Sequence, residues 1–197
     1  MNDLENQLRR IVNDLQDLNQ RFALVGGLAV SVRAEPRLTR DTDLAVAVGD
    51  DAEAERLIHQ LQQRGYQVIA SVEQQNAGRL ATIRLAFESA DGIVTDLLFA
   101  SSGIEAEIVS GADELTVVPG LSLPVASVGH LMAMKILARD DRHRPMDADD
   151  LRALRSIASD DDWVVAKLAA ELIESRGYAR NRDLRAAMEQ LRESGAY

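Results

Sequence analysis

The 197-residue chain contains no cysteine, which excludes disulfides and thiolate metal sites. Histidine is scarce too: His59, His130 and His143 fall in no zinc-like spacing. Lysine is confined to Lys135 and Lys167, against twenty arginines. No apolar run approaches the length of a bilayer span, and the opening MNDLENQ is acidic and polar rather than leader-like, so a cytoplasmic location without a membrane partner is expected. Excess positive charge is also missing. A formal net charge of −10 counts against a protein that coats nucleic acid through general electrostatics, while leaving room for a local basic groove. Acidic excess suits an enzyme that holds metal on carboxylates, or a surface that meets a basic partner.

What is present is a chain long enough for one good-sized core, or a core plus a small helical part. Its most informative stretch is residues 21–48, RFALVGGLAVSVRAEPRLTRDTDLAVAV. Phe22-Ala23-Leu24-Val25 reads as a buried strand, and Gly26-Gly27 ends it and opens a helix from about Leu28 to Arg33. Two glycines let backbone approach a ligand closely, and the N–H groups of the helix's first turn favour an anion. Asp41 to Val48 then reads as a strand that carries Asp41 and Asp43 on one face, with Cα atoms roughly 7 Å apart. Like charges that close repel, and a hard cation such as Mg²⁺ between them removes the repulsion. Each part has a local explanation: Asp41 as a turn cap, Asp43 paired with Arg37 or Arg40, Gly-Gly as a common helix opening. Their combination at this spacing points to a site.

Elsewhere, leucine and isoleucine spacing predicts an amphipathic helix over 3–19, capped by Asn2 with Glu5, and a second helix over 51–64. Strands are expected over 66–70, 80–87, 93–99, 115–118 and 121–125, with a hairpin turn at Asp91-Gly92. Asp96 is an acid within an apolar strand and needs a partner, either a cation such as Arg84 or a metal. From residue 126 onward the chain reads as helical, giving an expected division into a core over 1–125 and a helical part over 126–197. Ser127 caps a helix to Arg139 whose one internal cation is Lys135. Lysine there is explained by snorkelling, or as a compact point charge for a triphosphate. Further helices are expected from Asp147, over 161–175 and over 182–193. Trp163, Val164, Leu168, Leu172 and Ile173 read as core, and Arg176, Arg180, Arg182 and Arg185 as a loose basic cluster.

Gly-Gly followed by Asp-x-Asp resembles the signature of the nucleotidyltransferase superfamily. More narrowly, GGLAV with PRLTRDTDL resembles the AbiEii/AbiGii toxin-type nucleotidyltransferases. The resemblance spans roughly residues 20–155 and implies an α+β fold, with a polymerase-β-like mixed sheet flanked by helices and a C-terminal helical part. It implies Mg²⁺ and an NTP donor, with metal held by Asp41, Asp43 and Asp96, and with Asp96 assisting the attacking hydroxyl. It assigns Gly26, Gly27, Arg40, Lys135 and Asp147 to the nucleotide, with Asp147 orienting Lys135 or an arginine and Asp150 acting as a structural cap. Met146 stands where the family's second motif carries a lysine. The implied acceptor is RNA, especially a tRNA 3′ end, or a protein hydroxyl, with an antitoxin as protein partner. The other readings are a small-molecule, antibiotic-type transferase and a degenerate module that binds nucleotide or a partner without transfer.

Overall fold

The computed structural model describes residues 3–36, 39, 41–75, 77–87, 93–139 and 146–194. Helix α1 (Asp3–Asp17) buries Leu8, Ile11, Val12 and Leu15, the face its spacing predicts. Strand β1 (Phe22–Val25) is buried at every position and runs straight into α2 (Gly26–Arg33). That helix starts two residues earlier than expected because Gly26 itself makes the turn, at φ +69°, a left-handed conformation open to glycine. Strand β2 (Thr42–Val46) is followed by α3 (Asp51–Gln63), where the Asp50 carboxylate accepts from the Glu53 N–H as N-cap. Asn2 and the Asp91-Gly92 turn lie outside the described residues.

Strands β3 (Tyr66–Gln74), β4 (Arg79–Phe87) and β5 (Val94–Leu98) follow, then the short helix α4 (Glu105–Ser110) and the hairpin β6 (Asp113–Val118) and β7 (Leu121–Val125). Together they form a seven-stranded sheet in the order β3-β4-β5-β2-β1-β7-β6. It is mixed: β2 pairs parallel with β5 and β1 parallel with β7, whereas β1–β2, β3–β4, β4–β5 and β6–β7 are antiparallel. The two parallel pairings hold the centre of the sheet, and β1, β2 and the end of β5 are buried accordingly.

The remaining chain is helical: α5 (Val128–Ala138), α6 (Met146–Ile157), α7 (Asp160–Ser175) and α8 (Leu184–Ser194). Ser127 caps α5, and Ser159 with Asp162 forms a capping box on α7. Helix α5 is buried around most of its circumference by α2, α6, α7 and α8. Its closest neighbour is α7, because Gly129 has no side chain: a Cβ there would lie 2.4 Å from the Asp162 carbonyl oxygen. Small residues of α7 therefore face inward, Ala166, Ala169 and Ala170, together with Ile173. This corrects the core expectation for two residues, since Val164 and Leu168 point outward at 58% and 53% exposure. The alanine face reaches closer to α5 than a leucine face would.

His130, in the first turn of α5, is buried against the loop at Gly111 and exchanges a 2.9 Å hydrogen bond between Nδ1 and the Ser127 hydroxyl. Burial lowers its pKa from the ordinary 6.5, against a smaller opposing pull from Glu107. A depressed folded-state pKa gives stability that is complete above about pH 6.5 and is lost as the unfolded chain takes up a proton the native site resists. Urea midpoints measured from pH 7.5 down to 5.5 are expected to fall, and His130→Gln should reduce that pH dependence.

Candidate active site

Strand register brings the acids together. Val25 pairs with Asp43, Asp43 with Asp96, and Asp96 with Arg84, so one row of residues crosses β1, β2, β5 and β4. Directly paired residues project from the same face of a sheet. All four line a cavity of about 370 Å³, together with Gly26, Asp41, Thr82, Lys135 and Arg180. Asp41 stands one position ahead of β2 rather than inside it, and still reaches the cavity.

Gly26 is fitted to this row. A Cβ on it would lie 1.9 Å from Oδ2 of Asp43, so the carboxylate occupies the space that any other residue would fill. Gly27 is buried in the first turn of α2 and is not among the residues lining the cavity. Arg40 lies outside the described residues.

Asp96 is 9% exposed and meets a guanidinium fork: Arg84 Nε donates to Oδ1 at 2.8 Å and Nη2 to Oδ2 at 2.7 Å. Two parallel charge-assisted bonds make this the strong form of the pair. The Asp96 fork raises the Arg84 pKa above its ordinary value, opposed by desolvation and helped by the charges of Asp41 and Asp43. Arg84 thus stands in the field of all three acids.

On the other wall, Lys135 Nζ contacts Asp147 Oδ1 at 2.7 Å and Asp150 Oδ2 at 2.6 Å. The three side chains are 8%, 3% and 1% exposed. Asp147 lies where the motif resemblance implies, against the lysine. Asp150 is not a helix cap: it is the second carboxylate on Lys135, one turn along α6 from Asp147, and that three-residue spacing is the signal that marks it. Met146, at the start of α6, is 47% exposed.

Arg180 is the member of the loose basic cluster that lines the cavity, and nothing in the sequence sets it apart from the other three. It reaches the cavity from the connection between α7 and α8, where Arg180 and Asn181 take consecutive left-handed conformations at φ +55° and +60°, and its Nη2 donates to the Ser101 carbonyl at 3.1 Å. The rest of the basic cluster is tied to the protein. Arg176 pairs with Glu107 and Arg185 with Glu174, while Arg182 donates to the carbonyls of Ile136 and Arg139 at the end of α5.

The donor set suits a hard divalent cation. Among the described residues no three carboxylates or imidazoles converge as a finished cage. Magnesium needs none, because one or two carboxylates with substrate phosphates and water complete its shell, and Asp41 with Asp43 offers such a pair.

Lys135→Met removes from the buried Asp147 and Asp150 the ammonium that both contact, and is expected to lower stability by about 3 kcal/mol. Adding Asp147→Asn and Asp150→Asn should recover part of that loss in the urea midpoint.

Comparison with curated proteins gives no match. Among solved structures, an antigenic nucleotidyltransferase-like protein from Paracoccidioides brasiliensis is 19% identical, with 95% of this chain and 92% of that one covered at a TM-score of 0.53. ANT(2″)-Ia in complex with adenylyl-2″-tobramycin is 16% identical, covering 94% and 96% at a TM-score of 0.50. The nucleotidyltransferase toxin MenT4 from Mycobacterium tuberculosis is 18% identical, covering 80% and 62% at a TM-score of 0.47, too loose a likeness to carry an argument. At these identities the neighbours speak for the fold, that of the nucleotidyltransferases. The family model described as nucleotidyl transferase AbiEii toxin, type IV toxin–antitoxin system, matches residues 8–195, nearly the whole chain, and the chain belongs to this family of nucleotidyltransferases.

Proposed function

We propose that this nucleotidyltransferase moves a nucleoside monophosphate from an NTP to an acceptor hydroxyl on RNA, especially a tRNA 3′ end, or on a protein. In this reading it is the toxin of a toxin–antitoxin or phage-defence pair and has an antitoxin partner. The observation that carries the chemistry is the row Asp43–Asp96 beside Gly26 and Asp41, three acids and a glycine turn facing one cavity. Asp41 and Asp43 would hold Mg²⁺, which when bound neutralises triphosphate charge and orients the α-phosphorus for in-line attack. The acceptor oxygen forms its bond to the α-phosphorus as the bond to the bridging oxygen breaks and pyrophosphate leaves. The hydroxyl proton goes to Asp96, whose carboxylate lies beside that of Asp43. Gly26, which opens α2, brings bare backbone to the cavity wall where the phosphates would lie. Lys135, held between Asp147 and Asp150, lines the opposite wall as a fixed charge.

A second reading, a small-molecule hydroxyl as acceptor, is favoured by one feature. Arg176, Arg182 and Arg185 are committed to carbonyls and carboxylates of the protein itself, which leaves a confined cavity rather than a basic track beside it.

Incubating the protein with Mg²⁺ and each α-labelled NTP, with total RNA, protein extract or aminoglycosides and lincosamides, reads acceptor and base together. Label is expected in RNA or protein, and Asp43→Asn should abolish it. Label that appears only in a small molecule would favour the second reading. Labelling that persists in Asp43→Asn would remove the carboxylate mechanism. Gly26→Ala, which pushes Asp43 from its place, is expected to cut the transfer rate by about a hundredfold. Circular dichroism should show the fold retained in that variant.

A further inference from the structure

Asp43 and Asp96 lie directly opposite one another on parallel strands, with a backbone separation of about 4.8 Å. Like charges so placed destabilise a sheet unless a cation intervenes. Among the described residues, the cation in the same row is Arg84, paired with Asp96. Its fork occupies both oxygens of Asp96, and its charge also acts on Asp41 and Asp43. The two partners differ in burial. The Arg84 side chain is 44% exposed and that of Asp96 13%, so the guanidinium has solvent to move into while the carboxylate stays. The fork takes one of the two lone pairs on each oxygen and offsets the carboxylate's charge, which weakens Asp96 both as a metal ligand and as a proton acceptor.

The geometry points to Arg84 as a built-in counter-ion of the acid row, one that competes with a divalent cation for Asp96 and thereby sets how tightly the site binds metal. This rests on the reading of Asp41, Asp43 and Asp96 as metal-binding acids. Arg84 is a positioning residue here: it acts through Asp96, and its departure hands that carboxylate to metal and acceptor.

The consequence runs opposite to that of an ordinary structural ion pair. Removing the arginine raises the negative charge of the site and removes the competitor, so metal binds more tightly even though the metal-free protein is less stable. Arginine→lysine keeps the charge and loses the two-point grip, so its effect should be intermediate.

The test is Mn²⁺ binding to the full chain with a non-hydrolysable NTP analogue, read by the electron paramagnetic resonance of free Mn²⁺, in wild type, Arg84→Gln, Arg84→Lys and Asp43→Asn. Arg84→Gln is expected to bind Mn²⁺ about tenfold more tightly than wild type. Its melting temperature should start below wild type and rise more steeply with Mn²⁺. Equal or weaker binding in Arg84→Gln overturns the inference while wild-type binding that is lost in Asp43→Asn keeps the metal reading. Binding that is unchanged in Asp43→Asn, or absent from wild type, removes the metal reading and the inference with it. If Arg84→Gln does not fold, Arg84→Lys decides, because affinity no greater than wild type in that variant also overturns the inference.

Discussion

Two carboxylates facing each other across parallel strands are the constraint from which the rest of this structure follows. The pairing of Asp43 with Asp96 carries an unfavourable electrostatic term wherever the sheet forms. Around it the chain arranges a guanidinium fork on one side, a glycine that leaves room for one carboxylate on the other, and an open cavity above. Repulsion that would weaken an ordinary sheet here concentrates negative charge on one wall of the cavity, the kind of charge that suits a hard cation.

The helical part completes the cavity by a different strategy. Lys135 is committed to two carboxylates of α6, which hold its ammonium at one place on the cavity wall. Such a triad contributes little net stability, since desolvation offsets much of the attraction, and it ties α5 to α6 through two buried contacts. Arg182 closes the far end of α5 by taking the carbonyls of Ile136 and Arg139, groups that the helix cannot satisfy itself. Gly129 brings α7 against the start of the same helix. The helix that carries the lysine is therefore held at its start, along its length and at its end.

Much of this was legible in the sequence, for a physical reason. The buried strand Phe22–Val25, the glycine turn and the one-face placement of Asp41 and Asp43 are local consequences of period and backbone freedom. The sequence admits either an arginine or a metal as the partner of Asp96, because the choice depends on the register of β4 against β5, which no local pattern contains. Asp150 read as a cap because acids at a helix start suit the dipole, and its partner lies on another helix. Val164 and Leu168 read as core by residue type, yet the absent side chain of Gly129 turned the alanines of α7 inward instead. Arg180 is legible only as one of four clustered arginines, because its place in the cavity depends on a left-handed backbone that arginine seldom adopts.

The row that crosses four strands also bears on how faithfully the protein assembles. Side chains alternate along a strand, so a slip of one position between β2 and β5 would drive Asp96 into the layer now filled by Thr95 and Leu97, which are 3% and 0% exposed. A carboxylate buried there without a partner costs several kcal/mol or more, enough to reject the slipped pairing. The acids of this row thus act as proofreaders of strand pairing, and a chain that has paired its strands correctly has already assembled the acid-lined cavity.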